Sequence, residues 1–321
     1  MTELGDILST TPWLLATCVF LLSLLVGSFL NVVIHRLPIM LDRDWHAQAR
    51  ELVAEQESPL SRQPTYSAPA GEVQQSSPSP SPIERYNLLV PRSRCPHCNA
   101  EIKAHQNIPV LSYLLLGGKC ANCRARISPR YPIVEFVTAL LSTAVALKFG
   151  WHWQTLAALV LTWCLVALTV IDLDHTILPD VITIPLLWLG LLASLAWHPG
   201  LQPPAPVDPR SAVLGAIAGY LSLWSVYWAF KLLTGKEGMG YGDFKLFGAL
   251  GAWLGWQMLP LVLLFSAFTG AVVGIALIVA RGRDRNVPIP FGPYLAAAGW
   301  IALMWGPQIV GSYMQVSGLD R

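Results

Sequence analysis

Long apolar runs alternate with short polar segments along most of this chain, and the pattern predicts about eight membrane-spanning helices. The first run covers residues 12–34 and can cross roughly 30 Å of bilayer hydrocarbon. It is longer than the apolar part of a typical signal peptide and follows no basic segment, so we expect a retained membrane helix. The later spans are predicted at about 133–149, 153–171, 181–197, 211–233, 244–258 and 259–280, with an eighth ending near residue 305.

Composition supports a membrane protein. Hydrophobic residues make up 54% of the chain and charged residues 12%, whereas a soluble domain carries about 25% charged residues. The 13 tryptophans suit a protein in contact with the membrane–water interface. The net charge of only +2 gives no support for a nucleic-acid partner. We therefore predict an all-α polytopic protein whose constant partner is the lipid bilayer.

One large polar segment interrupts the pattern between the first and second spans. It divides the chain into a first transmembrane helix (1–38), a cytoplasmic domain (39–132) and a membrane core of about seven helices (133–321). Residues 47–82 are rich in Ser, Pro, Gln and Glu and cannot bury enough apolar surface to offset the entropy of ordering, which predicts a mobile loop.

Four cysteines lie in the polar segment, at about residues 90–130. Cys95 with Cys98, and Cys120 with Cys123, form two C-x2-C pairs separated by residues 99–119. This spacing is slightly longer than the usual ribbon but favours one structural zinc ion held by four thiolates, in a zinc-ribbon-like insertion. Two disulfides or free thiols are the alternatives, and a cytoplasmic location disfavours disulfides.

The distribution of basic residues predicts the orientation of the spans. With both termini outside, every Lys and Arg lies on the inner side except Lys148, Arg210 and Arg321, of 21 in the chain. Cytoplasmic loops of membrane proteins carry such an excess of positive charge. The large insertion and both acidic loops described next are therefore expected on the cytoplasmic side, with periplasmic termini.

Two acidic residues lie at the ends of apolar segments. Asp172 follows the third span, and Asp243 begins the sixth span behind a glycine-rich loop. Charged groups on membrane helices are costly and usually functional. We predict that the two carboxylates meet and share one proton, as in an aspartic protease that activates water and protonates the leaving amine.

Five further residues are candidates to support this pair. Gly240 and Gly242 would let a substrate backbone approach closely. Asp174 is either a supporting group or a solvated loop acid, and Asp180 either a supporting group or the N-cap of the fourth span. Lys245, on the same turn as the second acid, completes the set.

Two polar residues inside spans have open interpretations. Asn31 either bonds to another helix or belongs to an ordinary helix end next to His35 and Arg36. Glu135 is either a buried hydrogen-bonding residue or an interfacial acid.

Several motifs together are specific. They are Gly27-Ser28-Phe29-Leu30-Asn31-Val32-Val33-Ile34-His35-Arg36-Leu37-Pro38, the paired C-x-x-C motifs, Ile171-Asp172-Leu173-Asp174-His175, Leu178-Pro179-Asp180, Gly240-Tyr241-Gly242-Asp243-Phe244-Lys245 and Pro288-Ile289-Pro290-Phe291-Gly292-Pro293. With them the chain resembles, over nearly its whole length, the bacterial type IV prepilin peptidases of type IV pili and type II secretion.

The resemblance implies an aspartic endopeptidase of the bacterial inner membrane, with catalytic residues at Asp172 and Asp243. It implies removal of a short basic leader from prepilins and pseudopilins, after a glycine, at the cytoplasmic face. It further implies methylation of the new N-terminal amine with S-adenosylmethionine, although no nucleotide-type glycine motif after a strand marks that site. The Ser/Pro-rich stretch near 58–82 departs from the pattern as an insertion.

Two other classes of function are open to a protein with these features. An ion-coupled transporter also uses membrane carboxylates, but it predicts acids near the bilayer midplane and an internal repeat. A membrane-anchored zinc ribbon that only recruits partners leaves the paired acids unexplained.

Overall fold

The computed structural model describes residues 2–57, 86–198, 207–281 and 289–318. These residues fold into ten α-helices with only isolated β-bridges. The helices are α1 (Thr2–Thr10), α2 (Pro12–Glu57), α3 (Leu111–Leu115), α4 (Arg130–Phe149), α5 (Trp153–His175), α6 (Asp180–Ser194), α7 (Pro209–Thr234), α8 (Tyr241–Leu254), α9 (Leu259–Arg281) and α10 (Gly292–Ser317).

The prediction of an all-α membrane protein is confirmed. Helices α2 and α4 to α10 lie where the sequence predicts the spans. Within the described residues, five stretches are long and apolar enough to cross a membrane: Pro12–Ala54, Arg130–Phe149, Trp153–His175, Pro209–Thr234 and Trp256–Ala280. Helix α6 is apolar but shorter. Helix α8 has 14 residues, about 21 Å at 1.5 Å per residue, and is thus shorter than the hydrocarbon layer.

Helix α2 extends beyond the predicted end of the first span. The boundary expected at residue 38 is not a helix end, because Pro38 lies inside α2 and the helix continues to Glu57. Proline removes one backbone hydrogen bond, and the following turns are rich in residues with high helix propensity. Residues 47–57, predicted as part of a loop, are thus helical, and residues 58–82 lie outside the described residues.

Helix α8 forms the centre of the larger core. Phe244, Phe247 and Leu250 on this helix are almost completely buried. Its packing against α7 is very close, since a Cβ on Gly219 would lie 2.6 Å from the Phe247 carbonyl oxygen. Small residues allow helix backbones to approach in this way within membranes. This close packing against α7 therefore fixes the position of α8 and of its first turn.

A second cluster joins α2, α4 and α5. Asn31 donates from Nδ2 to the Tyr131 carbonyl oxygen at 3.0 Å, which confirms the cross-helix hydrogen bond. Glu135 is buried, and its Oε2 accepts the backbone N–H of Val110 at 2.7 Å. Its interpretation as a buried hydrogen-bonding residue is therefore confirmed. A Cβ on Gly27 would lie 2.7 Å from Cα of Glu135, so these helices also pack closely.

A buried arginine attaches the polar insertion to the first span. Arg36 is only 7% exposed. Its guanidinium donates to the carbonyl oxygens of Asn87 at 2.9 Å and Pro91 at 2.6 Å. A buried cation needs such acceptors to offset its desolvation. Segment 87–91 is therefore held against the end of the membrane part of α2.

Candidate functional site

The four predicted cysteines meet in two matching turns. Cys95 N–H donates to the Ala100 carbonyl oxygen at 2.9 Å, and Cys120 N–H donates to that of Ala125 at 2.8 Å. Each turn is closed by one antiparallel bridge, Arg94 with Glu101 and Lys119 with Arg126. The two turns thus repeat the same hydrogen-bonding pattern and present their sulfur atoms to one point.

The sulfur arrangement fits a metal ion. All four Sγ atoms lie within 4.8 Å of one another, and those of Cys95 and Cys123 are 3.8 Å apart. Tetrahedral zinc–thiolate sites with bonds of about 2.3 Å place their sulfur atoms about 3.8 Å apart. Hydrogen bonding from the Ala100 backbone, and then from Asn122, lowers the pKa of the Cys98 thiol to about 6, which favours the thiolate. The cluster can therefore bind a metal.

The two acids singled out in the sequence line one cavity. Asp172 lies in the last turn of α5 and Asp243 in the first turn of α8. Both are largely buried, with 5% and 7% of their surface exposed. The cavity has a volume of about 410 Å³ and is lined by Leu41, Trp45, Asp172, Thr176, Ile177, Leu178, Pro179, Asp180, Val181, Gly240, Tyr241, Gly242 and Asp243.

Local backbone features present the acids to the cavity. Helix α5 ends at Thr176, whose left-handed conformation and N–H bond to the Asp172 carbonyl oxygen at 2.9 Å turn the chain back towards the cavity. At the other acid, Asp243 N–H donates to the Gly240 carbonyl oxygen at 3.2 Å as α8 begins. The C-cap of α5 and the first turn of α8 thus place the two acids beside the same cavity.

A glycine beyond the predicted site holds one of the acids. Gly292 N–H donates to Oδ2 of Asp172 at 3.0 Å. A Cβ on Gly292 would lie 2.6 Å from the same oxygen, so no other residue fits this position without movement. Gly292 belongs to the sequence motif Pro290-Phe291-Gly292-Pro293, which by itself indicates no role for this glycine.

The supporting acids are engaged in ion pairs. Asp174 pairs with Arg130 at the start of α4. Asp180 pairs with Lys245, whose Nζ lies 2.7 Å from both carboxylate oxygens. Asp180 is the first residue of α6, and the N-cap is Pro179, so the suggested N-cap role is wrong. The first pair joins the last turn of α5 to α4, and the second joins the start of α6 to α8.

The two loop glycines differ in their surroundings. A Cβ on Gly242 would lie 2.7 Å from Cβ of Leu178, so this glycine allows α8 to pack against the loop that follows α5. A Cβ on Gly240 would meet nothing closer than Oδ2 of Asp243, at 3.6 Å. Gly242 thus serves packing, and only Gly240 leaves open space beside the acid.

Comparisons with known proteins agree with this architecture. The family model described as "Bacterial Peptidase A24 N-terminal domain" matches residues 21–149, and the model "Type IV leader peptidase family" matches residues 159–275. No solved structure matches the chain.

Several curated relatives are similar over almost the whole chain. Proteins named "Prepilin leader peptidase/N-methyltransferase" from Aeromonas salmonicida and Aeromonas hydrophila are each 56% identical over 98% of this chain and 99% of their own. One of the same name from Pseudomonas aeruginosa is 52% identical over 98% of both chains. The chain therefore belongs to the type IV leader peptidase family.

Proposed function

We propose that this protein is a membrane aspartic endopeptidase that removes the short basic leader from prepilins and pseudopilins and then methylates the new N-terminal amine. The observation that carries the peptidase assignment is that Asp172 and Asp243 line one cavity at the ends of two helices. The names of the relatives support both activities. An ion-coupled transporter is not favoured, because the chain matches the type IV leader peptidase family and its two acids lie at helix ends.

The two carboxyl groups have different roles in the reaction, one as a base and the other as an acid. With one proton shared between them, the ionised carboxylate takes a proton from a water molecule, whose oxygen attacks the carbonyl carbon of the scissile peptide bond. The protonated carboxyl donates its proton to the leaving nitrogen, and the bond breaks to give a carboxylate and an amine. The Gly292 N–H holds Oδ2 of Asp172, so this side chain keeps one orientation during the proton transfers.

We further propose that the enzyme lies in the bacterial inner membrane, with both termini periplasmic and the cavity and four-cysteine domain cytoplasmic. The positive-inside distribution supports this orientation. A prepilin with a basic leader at the anionic cytoplasmic surface and an apolar helix in the bilayer would present its scissile bond at the level of the cavity.

Zinc is the metal that we propose for Cys95, Cys98, Cys120 and Cys123. Four thiolates leave no position for a substrate, so the ion would stabilise the insertion without taking part in cleavage. Elemental analysis of the purified protein should give one zinc per chain. Cys123→Ser should lower this content strongly, and Cys164→Ser, in a membrane helix, should leave it unchanged. Full zinc content in Cys123→Ser would contradict the assignment.

S-adenosylmethionine is the proposed methyl donor. Its sulfonium methyl group would pass to the amine that cleavage has released, with loss of one proton from nitrogen. This order follows from the chemistry, because an amide nitrogen within the chain is a poor nucleophile and the free amine is a good one.

The peptidase assignment is tested by cleavage of a prepilin in detergent micelles, with the products read by mass spectrometry. Asp172→Asn and Asp243→Asn should each abolish cleavage while the thermal unfolding temperature stays within a few degrees of the unaltered protein. Asp6→Asn, an exposed acid on α1, is the matched control and should cleave normally. With S-adenosylmethionine present, the mature product should become heavier by one methyl group. Cleavage that persists in either Asn variant would exclude that residue as catalytic.

A further inference from the structure

The cytoplasmic extension of α2 contributes a wall to the catalytic cavity. Leu41 and Trp45 line the same cavity as Asp172 and Asp243. They are four residues apart, so their side chains lie on one face of the helix, about 6 Å apart along its axis. From the sequence, both residues are expected in the cytoplasmic domain (39–132), outside the membrane core, and no role is predicted for them.

The packing of α2 shows where along the helix this wall lies relative to the buried cluster around Ile171. Ile34 and Leu37 pack in one buried cluster with Ile171, the residue before the first acid. Leu41 is partly buried at the edge of that cluster, and Trp45 lies one further turn outwards. Along α2, Trp45 therefore lies beyond the residues that pack against Ile171, on the side away from the apolar span, where the part of a substrate outside the membrane would pass.

Packing against the described residues leaves about half of the surface of Trp45 uncovered. Its surface is 54% exposed although it borders the cavity. Among the described residues no cationic side chain lies over its ring, whereas Arg43, two positions earlier, lies over the ring of Tyr86 at 4.3 Å. The face of an indole ring attracts Lys and Arg side chains more strongly than that of any other residue.

Two acids near the cavity are already engaged in ion pairs and are less available to a basic peptide. Asp174 is paired with Arg130, and Asp180 is paired with Lys245. Asp44, next to Trp45, is not among the residues that line the cavity. The exposed indole of Trp45 is therefore the feature at this wall that suits a cationic side chain.

We propose that Trp45, seated on Leu41, is a specificity-determining residue that binds the basic leader of the substrate on the non-membrane side of the scissile bond. This assignment rests on the proposed peptidase function. Leu41 supports the ring from the helix, and Trp45 holds a Lys or Arg of the leader against its face. The mature part of the substrate extends in the opposite direction, into the bilayer.

The test combines changes in the enzyme and in the leader. For a prepilin with a basic leader, Trp45→Leu should raise KM about tenfold and change kcat by less than about twofold, because ground-state and transition-state binding weaken equally. For the same prepilin with the leader Lys and Arg replaced by Gln, the two enzymes should have equal KM. Trp45→Phe keeps an aromatic face, and its KM for the basic leader should lie between the values of the unaltered protein and of Trp45→Leu.

Matched controls separate recognition from folding. Leu52→Ala lies on the same extension, is exposed and is outside the cavity, and it should leave KM and kcat unchanged. An unchanged KM for the basic leader in Trp45→Leu would overturn the assignment, and so would an equal rise in KM for the neutral leader. In both cases the proposed function would stand. Lack of cleavage by the unaltered protein would overturn the proposed function and this assignment with it.

Discussion

Lys245 Nζ lies 2.7 Å from both carboxylate oxygens of Asp180. Lys245 is two residues after Asp243 in α8, and Asp180 is the first residue of α6, directly after the loop that follows α5. The pair thus joins the helix of one proposed catalytic acid to the segment that follows the helix of the other. Its side chains are 30% and 53% exposed, so the pair contributes little to folding stability. The main effect of the ion pair is to align the two segments.

Reversal of one charge in this pair should impair cleavage more than stability. Lys245→Asp places two carboxylates opposite each other and should lower kcat roughly tenfold or more by displacing one acid from the other. The free energy of unfolding should change by no more than about 1 kcal/mol. Initial-rate kinetics and thermal unfolding measure the two effects.

The exchanged pair, Asp180→Lys with Lys245→Asp, is the control. It restores the attraction and should recover most of the activity lost in the single variant. A double variant as impaired as the single one would show that the ion pair does not align the acids.

Gly242 and Gly240 should respond differently to the same substitution. Gly242→Ala puts a methyl group 2.7 Å from Cβ of Leu178 and must displace the loop from α8. The rate of cleavage should therefore fall about a hundredfold. Gly240→Ala meets its nearest atom at an ordinary 3.6 Å and should fold normally, with at most a rise in KM. Product formation by both variants in one prepilin assay measures the difference.

Leu178→Gly provides the rescue for this prediction, because the clash is with Cβ of Leu178, an atom that only glycine lacks. Removing this atom should restore a large part of the activity of Gly242→Ala. Equal activities of the two single glycine variants would contradict the packing role.

Gly292 should be needed for cleavage. Gly292→Ala places Cβ 2.6 Å from Oδ2 of Asp172, so the carboxylate must move and its hydrogen bond from the backbone is strained. We expect kcat to fall at least about a hundredfold, with KM changed much less. Gly311→Ala on the same helix, where no atom lies within 4 Å, is the control and should retain full activity. Normal kcat in Gly292→Ala would show that Asp172 does not depend on this contact.

Glu135 should contribute to folding stability through its hydrogen bond to the Val110 N–H and not through its charge. Glu135→Gln keeps an oxygen for the Val110 N–H and should unfold at nearly the normal temperature. Glu135→Ala leaves that donor without its partner and should cost about 1–3 kcal/mol of stability.

Glu101→Ala is the matched control for an acid at the surface. Glu101 pairs with Arg94 and both side chains are about half exposed, so the loss should be below about 1 kcal/mol. A Gln variant of Glu135 as unstable as the Ala variant would indicate that the charge itself is required.

The sequence by itself determined the helices and the side chains that form the cysteine cluster and the acidic cavity. Apolar runs, thiol spacing and acids at span ends are local patterns, and each predicted the feature found, from the helices to the cysteine cluster and the cavity shared by Asp172 and Asp243. The extent of α2 was missed, because Pro38 resembles a helix end although the helix around it stays intact. Composition in the following residues suited both a loop and a charged, exposed helix.

Only the tertiary structure decided which groups surround the acids. Gly292 reaches Asp172 from 120 positions away, Gly242 packs against Leu178, and Asp180 pairs with Lys245. Trp45 reaches the cavity from a segment that the sequence assigned to another domain. Such contacts depend on the rotation and depth of each helix, which are set by packing against all of its neighbours at once. No local pattern of residues encodes these two quantities.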